Sequence, residues 1–195
     1  MIKIDDISLL ELAKSNKDKA FNYLIVEYSK KVFNTCVNIL RNKEDAEDVT
    51  QEVFTAVYLS IDTFEGKSKL STWIYSIALN KSKEFLRNKT RKKRFGILTT
   101  IEREDSHFMP DQVINFDHPG VLLENKERAE VFFQALDQLA ENQKTAYTLH
   151  KIEGVSYIEI AEIMETSVSS VESLMFRAKK KLKEVLTDYF ERNER

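Results

Sequence analysis

The spacing of apolar residues is the feature that most restricts the fold of this chain. Apolar side chains recur three and four residues apart along almost the whole sequence, as they do on one face of an α-helix, and we find no credible strand. Only four glycines and two prolines interrupt the 195 residues, so few positions break a helix. The pattern predicts an all-α protein.

Helical spacing disappears in one segment in the second half of the chain. Both prolines, Pro110 and Pro119, lie there, and Gly96 and Gly120 stand near its ends. Irregular segments of this length are uncommon inside a compact domain. We therefore predict two small helical domains, residues 1–95 and 121–195, joined by an irregular linker over residues 96–120.

The formal net charge of −2 conceals strong local imbalances. Residues 44–57, EDAEDVTQEVFTAV, are acidic and helix-patterned, whereas residues 67–94 carry ten Lys and Arg against the single acid Glu84. A basic segment can serve nucleic-acid binding even when acidic segments elsewhere cancel its charge. The reversal suggests one segment that meets a protein and another that meets a nucleic acid.

Cysteine content and hydropathy bear on the compartment. The lone Cys36 cannot form an internal disulfide, which is typical of a reducing compartment. No apolar run approaches the roughly 18 residues that span a bilayer, and the N-terminus lacks the layout of a signal peptide. We expect a cytoplasmic protein without membrane insertion.

The basic segment also carries aromatic residues at helical spacing. Trp73 and Tyr75 lie within one turn of each other, and the cations continue on later turns at Lys83 and Arg87. Exposed aromatics among cations suit unpaired bases, because stacking contributes about 1–3 kcal/mol per base while the cations follow the backbone. Taken singly, Trp73 is explained at least as well by packing in the core. The combination on one helix favours single-stranded or melted nucleic acid.

The acidic segment has an inward stripe and a polar outer face. Its inward positions are Ala46, Val49, Val53 and Val57, and its outward ones include Asp45, Asp48, Gln51, Glu52 and Thr55. Phe54 stands beside the stripe, and its exposure there would indicate a protein-docking surface. The alternative is that acids in a first helical turn only complement the helix dipole.

The C-terminal part contains a helix-turn-helix pattern. Ser156 and Glu159 form the capping box of a first helix, and Ser167 can cap a second helix after a short turn. The second helix has the inward positions Val168, Val171, Met175, Ala178 and Leu182, and it leaves outward Ser169, Ser170, Glu172, Ser173, Arg177, Lys179 and Lys180.

This outer face fits a recognition helix in a major groove. Small polar residues near its start permit close approach to the DNA, and the later cations can hold phosphates. Two packed helices with a solvated basic face are the alternative, and Glu172 places a negative charge where phosphates would repel it.

Two blocks of sequence resemble a known family. DAEDVTQEVF with FEGKSKLSTWIYSIALNKSKEFLRNKTRKKR, and later ALDQLAENQKTAYTLHKIEGVSYIEIAEIMETSVSSVESLMFRAKKKL, are similar to the two domains of bacterial extracytoplasmic-function sigma factors. The resemblance implies a sigma factor that binds core RNA polymerase, directs it to specific promoters and promotes melting of the −10 element. It also implies an inhibitory anti-sigma factor as a second partner.

The resemblance assigns roles residue by residue. It implies polymerase contacts for Asp45, Asp48, Gln51, Glu52 and Phe54. It implies contacts with the −10 element for Lys67, Ser68, Lys69, Thr72, Trp73, Tyr75, Asn80, Lys83 and Arg87. It implies contacts with the −35 element for Ser169, Ser170, Glu172, Ser173, Arg177 and Lys179.

The chain departs from the usual family pattern at some positions. Glu165 occupies a turn position that is frequently Gly, and Glu172 and Leu174 stand where Lys and Arg are common. Two other function classes are weighed against a sigma factor. A duplex-binding regulator would use the helix-turn-helix alone. An enzyme is disfavoured because His107, His118 and His150 have no metal-ligand spacing and no glycine-rich phosphate loop is present, so we expect neither a cofactor nor a metal.

Overall fold

The computed structural model of the protein describes residues 5–94 and 130–193, and the predicted linker lies outside these ranges. The first range contains α1 Asp6–Ser15, α2 Lys17–Leu40, α3 Lys43–Ser60, a 3-10 turn Ile61–Thr63 and α4 Leu70–Arg94. The second contains α5 over 130–137, α6 Glu141–Lys151, α7 Tyr157–Ile163 and α8 Val168–Asn193. Every regular element in these two ranges is helical, which confirms the predicted all-α fold.

Side-chain caps explain the short connections among the first three helices. The Asn16 side chain accepts a hydrogen bond from the Lys19 N–H at 3.0 Å, and the Asn42 side chain accepts one from the Asp45 N–H at 2.8 Å. Each bond satisfies a donor that the first helical turn leaves unpaired. Arg41 ends α2 in the left-handed region at φ 58°, so the chain reverses within two residues.

The N-terminal unit is built by α2, α3 and α4 packing around one apolar core, with α1 against α2. The predicted inward stripe of α3 is confirmed, because Ala46, Val49, Val53 and Val57 are all fully buried. The outer face of α3 is therefore fixed by the same spacing.

The helix-turn-helix is formed by α7 and α8 as predicted. Both hydrogen bonds of the Ser156–Glu159 capping box are present, and Ser167 Oγ accepts from the Ser170 N–H at 3.2 Å. Glu165, in the turn between the helices, adopts φ 52°. This left-handed conformation explains why Gly would suit the position, since it costs an L-residue roughly 1–2 kcal/mol.

The predicted inward stripe of α8 needs one correction. Val171, Met175, Ala178 and Leu182 are buried, but Val168 is 38% exposed. Val168 is the first residue of the helix, one turn before the first buried position, so it lies at the edge of the packed stripe.

The two units pack against each other. Helix α6 contacts α2 and α7 contacts α4. One apolar cluster contains Tyr75 and Leu79 of α4 together with Leu149, Ile160 and Val171 of the C-terminal unit. We call this surface the interdomain contact.

Candidate polymerase and promoter interface

The acidic face of α3 is partly used within the protein. Asp48, Gln51 and Glu52 are exposed as predicted, whereas Asp45 is half-buried. Asp45 Oδ2 lies 2.5 Å from Lys89 Nζ on α4, and Glu52 Oε2 lies 3.6 Å from Lys81 Nζ. Some of the acids of α3 are thus paired with cations of the neighbouring helix α4 rather than left free for another protein.

Phe54 is buried rather than exposed. Its side chain is 7% exposed, and its ring meets that of Phe21 edge to face with 6.3 Å between centroids. The condition for a docking surface at Phe54, its exposure, is therefore not met in this structure, because α2 supplies an aromatic neighbour that the α3 pattern alone does not reveal.

The residues expected to contact the −10 element divide by exposure. Four are exposed, namely Lys67, Lys69, Asn80 and Arg87, and three are half-buried, namely Ser68, Trp73 and Lys83. Thr72 and Tyr75, each 3% exposed, are buried. The expected exposure of Tyr75 is wrong in this arrangement of the units, because Tyr75 lies in the interdomain contact. Thr72 stands in a turn of α4 whose neighbours pack inward, so its implied contact with the −10 element stays a prediction for a side chain that is buried here.

Trp73 occupies an intermediate position at the start of α4. Its indole packs against Phe64 with ring centroids 4.8 Å apart and planes inclined by 33°. Phe64 belongs to the loop that precedes α4. The pair joins the loop to the helix and leaves part of the indole accessible, so the core and stacking explanations of Trp73 are compatible.

A charged contact links the −10 segment to the helix-turn-helix. Lys69 Nζ lies 2.8 Å from Glu159 Oε1, where Glu159 is also the capping-box residue of α7. Hydrogen bonds from Lys69 and then Ser156 lower the pKa of Glu159 to about 2, and the carboxylate in turn raises the pKa of Lys69. A cation expected to face DNA is thus paired with the other unit.

A second polar contact lies deeper in the interface. The Tyr75 hydroxyl donates to Glu153 Oε2 over 3.3 Å, and the buried Glu153 Oε1 has no hydrogen-bond partner among the described residues. Burial raises the pKa of Glu153, against the opposing effects of Tyr75 and Asn34 and of the charges of Lys30 and Lys31. Burial also raises the pKa of Tyr75, with the Glu153 charge adding to it.

The α2–α6 side of the interdomain contact centres on Asp137. Its Oδ1 lies 2.5 Å from Lys144 Nζ and 3.3 Å from Arg41 Nε, and its backbone oxygen accepts from the Arg41 guanidinium at 2.8 Å. Burial lowers the pKa of Lys144. A cavity of about 200 Å³ lies beside this cluster, between Asn38, Leu86 and α6.

The outer face of α8 is free of the interdomain contact. Ser169, Glu172, Ser173, Arg177 and Lys179 are exposed, and Ser170 is half-buried. Phe176 shares this face and is 70% exposed, although the sequence pattern did not single it out. Its position one residue after the buried Met175 is the signal that marks it as outward.

The described part of the chain holds no cluster of three or more His, Cys, Asp or Glu residues suited to a metal ion. Among the helices of residues 5–94 and 130–193, none combines the length and the apolar composition needed to cross a membrane.

Comparison with known proteins matches both units. The sequence pattern described as Sigma-70 region 2 matches residues 24–92, and that described as Sigma-70, region 4 matches residues 129–182. The chain is 33% identical over 177 residues to an ECF RNA polymerase sigma-E factor of Haemophilus influenzae, covering 91% of this chain and 93% of that protein. The identity to the sigma-E factor of Escherichia coli K12 is also 33%, over 91% of this chain and 92% of the relative.

Two solved structures share the fold. The sigma factor RpoE of Bartonella quintana, in complex with the anti-sigma factor NepR, superposes with a TM-score of 0.70 at 23% identity, covering 87% of this chain and 98% of that one. CnrH in complex with the cytosolic domain of CnrY gives a TM-score of 0.65 at 23% identity, covering 92% and 96%.

Proposed function

Because the chain belongs to the ECF sigma factors of bacterial RNA polymerase, we propose that α3 binds core polymerase, α4 contacts a melted −10 element and α8 contacts a duplex −35 element. The observation that supports this division best is the match to region 2 and region 4 in one chain. A stand-alone helix-turn-helix regulator would not need the first of these regions. The protein performs no chemistry in this role; it positions polymerase and DNA.

Exposure supports part of the residue assignment. On α3, Asp48, Gln51 and Glu52 offer polymerase an accessible acidic surface. Lys67, Lys69, Asn80 and Arg87 offer a mostly cationic one to DNA, and cations that contact phosphates make affinity fall with salt. Phe54 packs inside its own unit and Thr72 is buried, whereas Tyr75 packs against the second unit while the two stay together.

The proposed role requires the two units to separate. The position numbers of the −35 and −10 elements place them about 25 base pairs apart. At about 3.4 Å per pair, this separation is about 85 Å along B-DNA. In the structure α4 and α7 touch, with Lys69 Nζ 2.8 Å from Glu159 Oε1. Both elements are engaged only after the interdomain contact opens, which frees Lys69 and uncovers Tyr75.

An anti-sigma factor is a second proposed partner, acting in the cytoplasm where polymerase works. Two proteins of the same fold are solved with such partners, NepR on RpoE and the cytosolic domain of CnrY on CnrH. A protein bound between or across the two units would compete with polymerase for the surfaces of α3, α4 and α8.

The decisive experiment adds the protein to core polymerase on genomic DNA of its own organism and sequences the 5′ ends of the transcripts. We expect start sites that core polymerase alone does not produce, aligned behind two shared upstream elements. Tight duplex binding without affinity for core polymerase, and no new start sites, would contradict the sigma-factor role.

A further inference from the structure

The first helix of the chain touches the start of the proposed −10 helix. The Leu70 N–H, the first backbone donor of α4, is bonded to Asp6 Oδ2 at 2.9 Å across 64 positions of sequence. The first N–H groups of a helix have no partner within it, so Asp6 satisfies one of them from another helix. The carboxylate also complements the positive end of the α4 dipole.

Helix α1 supports the loop before α4 as well. Leu9 and Ala13 anchor α1 in the core at 2% and 3% exposure. Gly66, in the loop, has φ +70°, and a Cβ at that position would lie 3.7 Å from Leu10 Cδ1. The loop and the first turn of α4 therefore both rest on α1.

We infer that Asp6 is a positioning residue for −10 recognition, holding the first turn of α4 and the preceding loop in the conformation that receives the melted strand. The inference rests on the proposed function. The first turn of α4, which Asp6 caps, contains Trp73, and Lys69 immediately precedes that turn. The positions of both side chains, which we expect to contact DNA, therefore depend on where α4 begins. The match to region 2 starts at residue 24, so α1 lies ahead of the part that the family pattern describes.

The position of Asp6 argues against a direct contact between its carboxylate and DNA. A phosphate would be repelled by a carboxylate, and this one is half-buried and engaged with the Leu70 amide. Asp6 thus acts through α4. A neutral side chain that keeps an acceptor oxygen should therefore preserve most of its effect. This expectation separates hydrogen bonding from charge.

The test compares Asp6→Ala, Asp6→Asn and the control Glu11→Gln, which removes a carboxylate from an exposed position on the same helix. Each variant of the 195-residue chain is assembled with core polymerase. Two affinities are measured: that of the variant for core polymerase, and that of the holoenzyme for a single-stranded oligonucleotide carrying the −10 element mapped from the transcript starts.

We expect Asp6→Ala to weaken oligonucleotide binding about fivefold, the usual cost of a lost helix cap, and to leave core affinity within about twofold. Asp6→Asn should recover most of the loss, and Glu11→Gln should behave as wild type. Equal oligonucleotide affinity in Asp6→Ala and wild type, an equal loss of both affinities, or no recovery in Asp6→Asn would overturn the inference.

Amide hydrogen exchange of Leu70 provides a test that needs no folded Ala variant. We expect the Leu70 amide to be protected in wild type and in Asp6→Asn, whereas exchange at the rate of an unbonded amide in wild type would overturn the inference. If the wild-type holoenzyme does not bind the oligonucleotide more tightly than core polymerase alone, the proposed function fails instead, and the two failures are distinct.

Discussion

Helices α4 and α8, both assigned to promoter DNA, differ in how much of their surface the protein itself occupies. The outer face of α8, from Ser169 to Lys179, is almost wholly exposed because only one stripe of that helix packs inward. Helix α4 packs against α2, α3 and α7, so it lies between its own unit and the other. The proposed −35 face is therefore accessible, whereas part of the proposed −10 face is covered by the contact between the two units.

The two helices therefore differ in which internal contacts each would lose on binding DNA. Engagement of α8, as proposed, would leave intact the contacts that its buried stripe makes with the described residues. Engagement of the whole of α4, as proposed, would break the polar contacts of Lys69 and Tyr75 with the second unit and expose an apolar cluster. In the proposed role, the free energy of opening the units therefore falls on −10 recognition, and we expect polymerase binding to offset it.

The largest expected effect tests whether the part of α4 that meets the second unit has a structural role. Tyr75→Ala removes a 3% exposed ring from the interdomain cluster, and we expect the free energy of unfolding to fall by about 3 kcal/mol. Arg177→Ala, on the exposed face of α8, should change it by less than about 0.5 kcal/mol. Urea unfolding followed by circular dichroism measures both free energies of unfolding. Equally small changes in the two variants would contradict the view that α4 has a structural role which the outer face of α8 lacks.

The buried carboxyl at the same contact gives a pH dependence. Because burial raises the pKa of Glu153 in the folded protein, the folded state holds its proton longer than the unfolded state does. Wild type should therefore lose stability relative to Glu153→Gln as the pH rises above about 4.5, with a slope of at most about 1.4 kcal/mol per pH unit. Unfolding curves of both proteins between pH 4 and pH 8 test this, and a constant difference would mean that Glu153 is solvated.

Much of the fold could be predicted because the spacing of apolar residues reports one-sided packing directly. The stripes of α3 and of most of α8, the capping box at Ser156 and the turn after α7 follow from local sequence. Residues that pack against a second partner could not be predicted this way. Phe54 meets Phe21, and Tyr75 meets the other unit; both contacts join residues far apart in sequence. The cap that Asp6 gives to α4 was missed for the same reason.

Phe176 provides a test on the exposed face of α8. Its ring is 70% exposed beside Ser173 and Arg177, where an apolar side chain can meet a thymine methyl group. We expect Phe176→Ala to weaken binding of the holoenzyme to duplex promoter DNA about fivefold without lowering stability. Val26→Ala, which truncates another exposed apolar residue on α2, is the control. Equal promoter affinity in Phe176→Ala and wild type would exclude Phe176 from the DNA-binding face.

The smallest expected effect concerns the ion pair between Lys69, the residue before α4, and Glu159 of α7. A cycle of Lys69→Gln, Glu159→Gln and the double variant isolates the pair, because Gln preserves the capping box of α7 while removing the charge. Lys69 is largely exposed, so we expect a weak coupling at low salt that declines as salt is added.

The pH dependence of the same pair has the opposite sign to that of Glu153. The pKa of Glu159 is lowered to about 2, so its contribution is fully present above its unfolded value near 4.5 and is lost as the pH falls towards 2. The stability difference between wild type and Glu159→Gln should therefore be constant above about pH 5 and shrink below it. A coupling energy that changes with neither salt nor pH would show that Lys69 does not hold the units together. The apolar cluster around Tyr75 alone would then set the free energy of exposing α4 to the −10 strand.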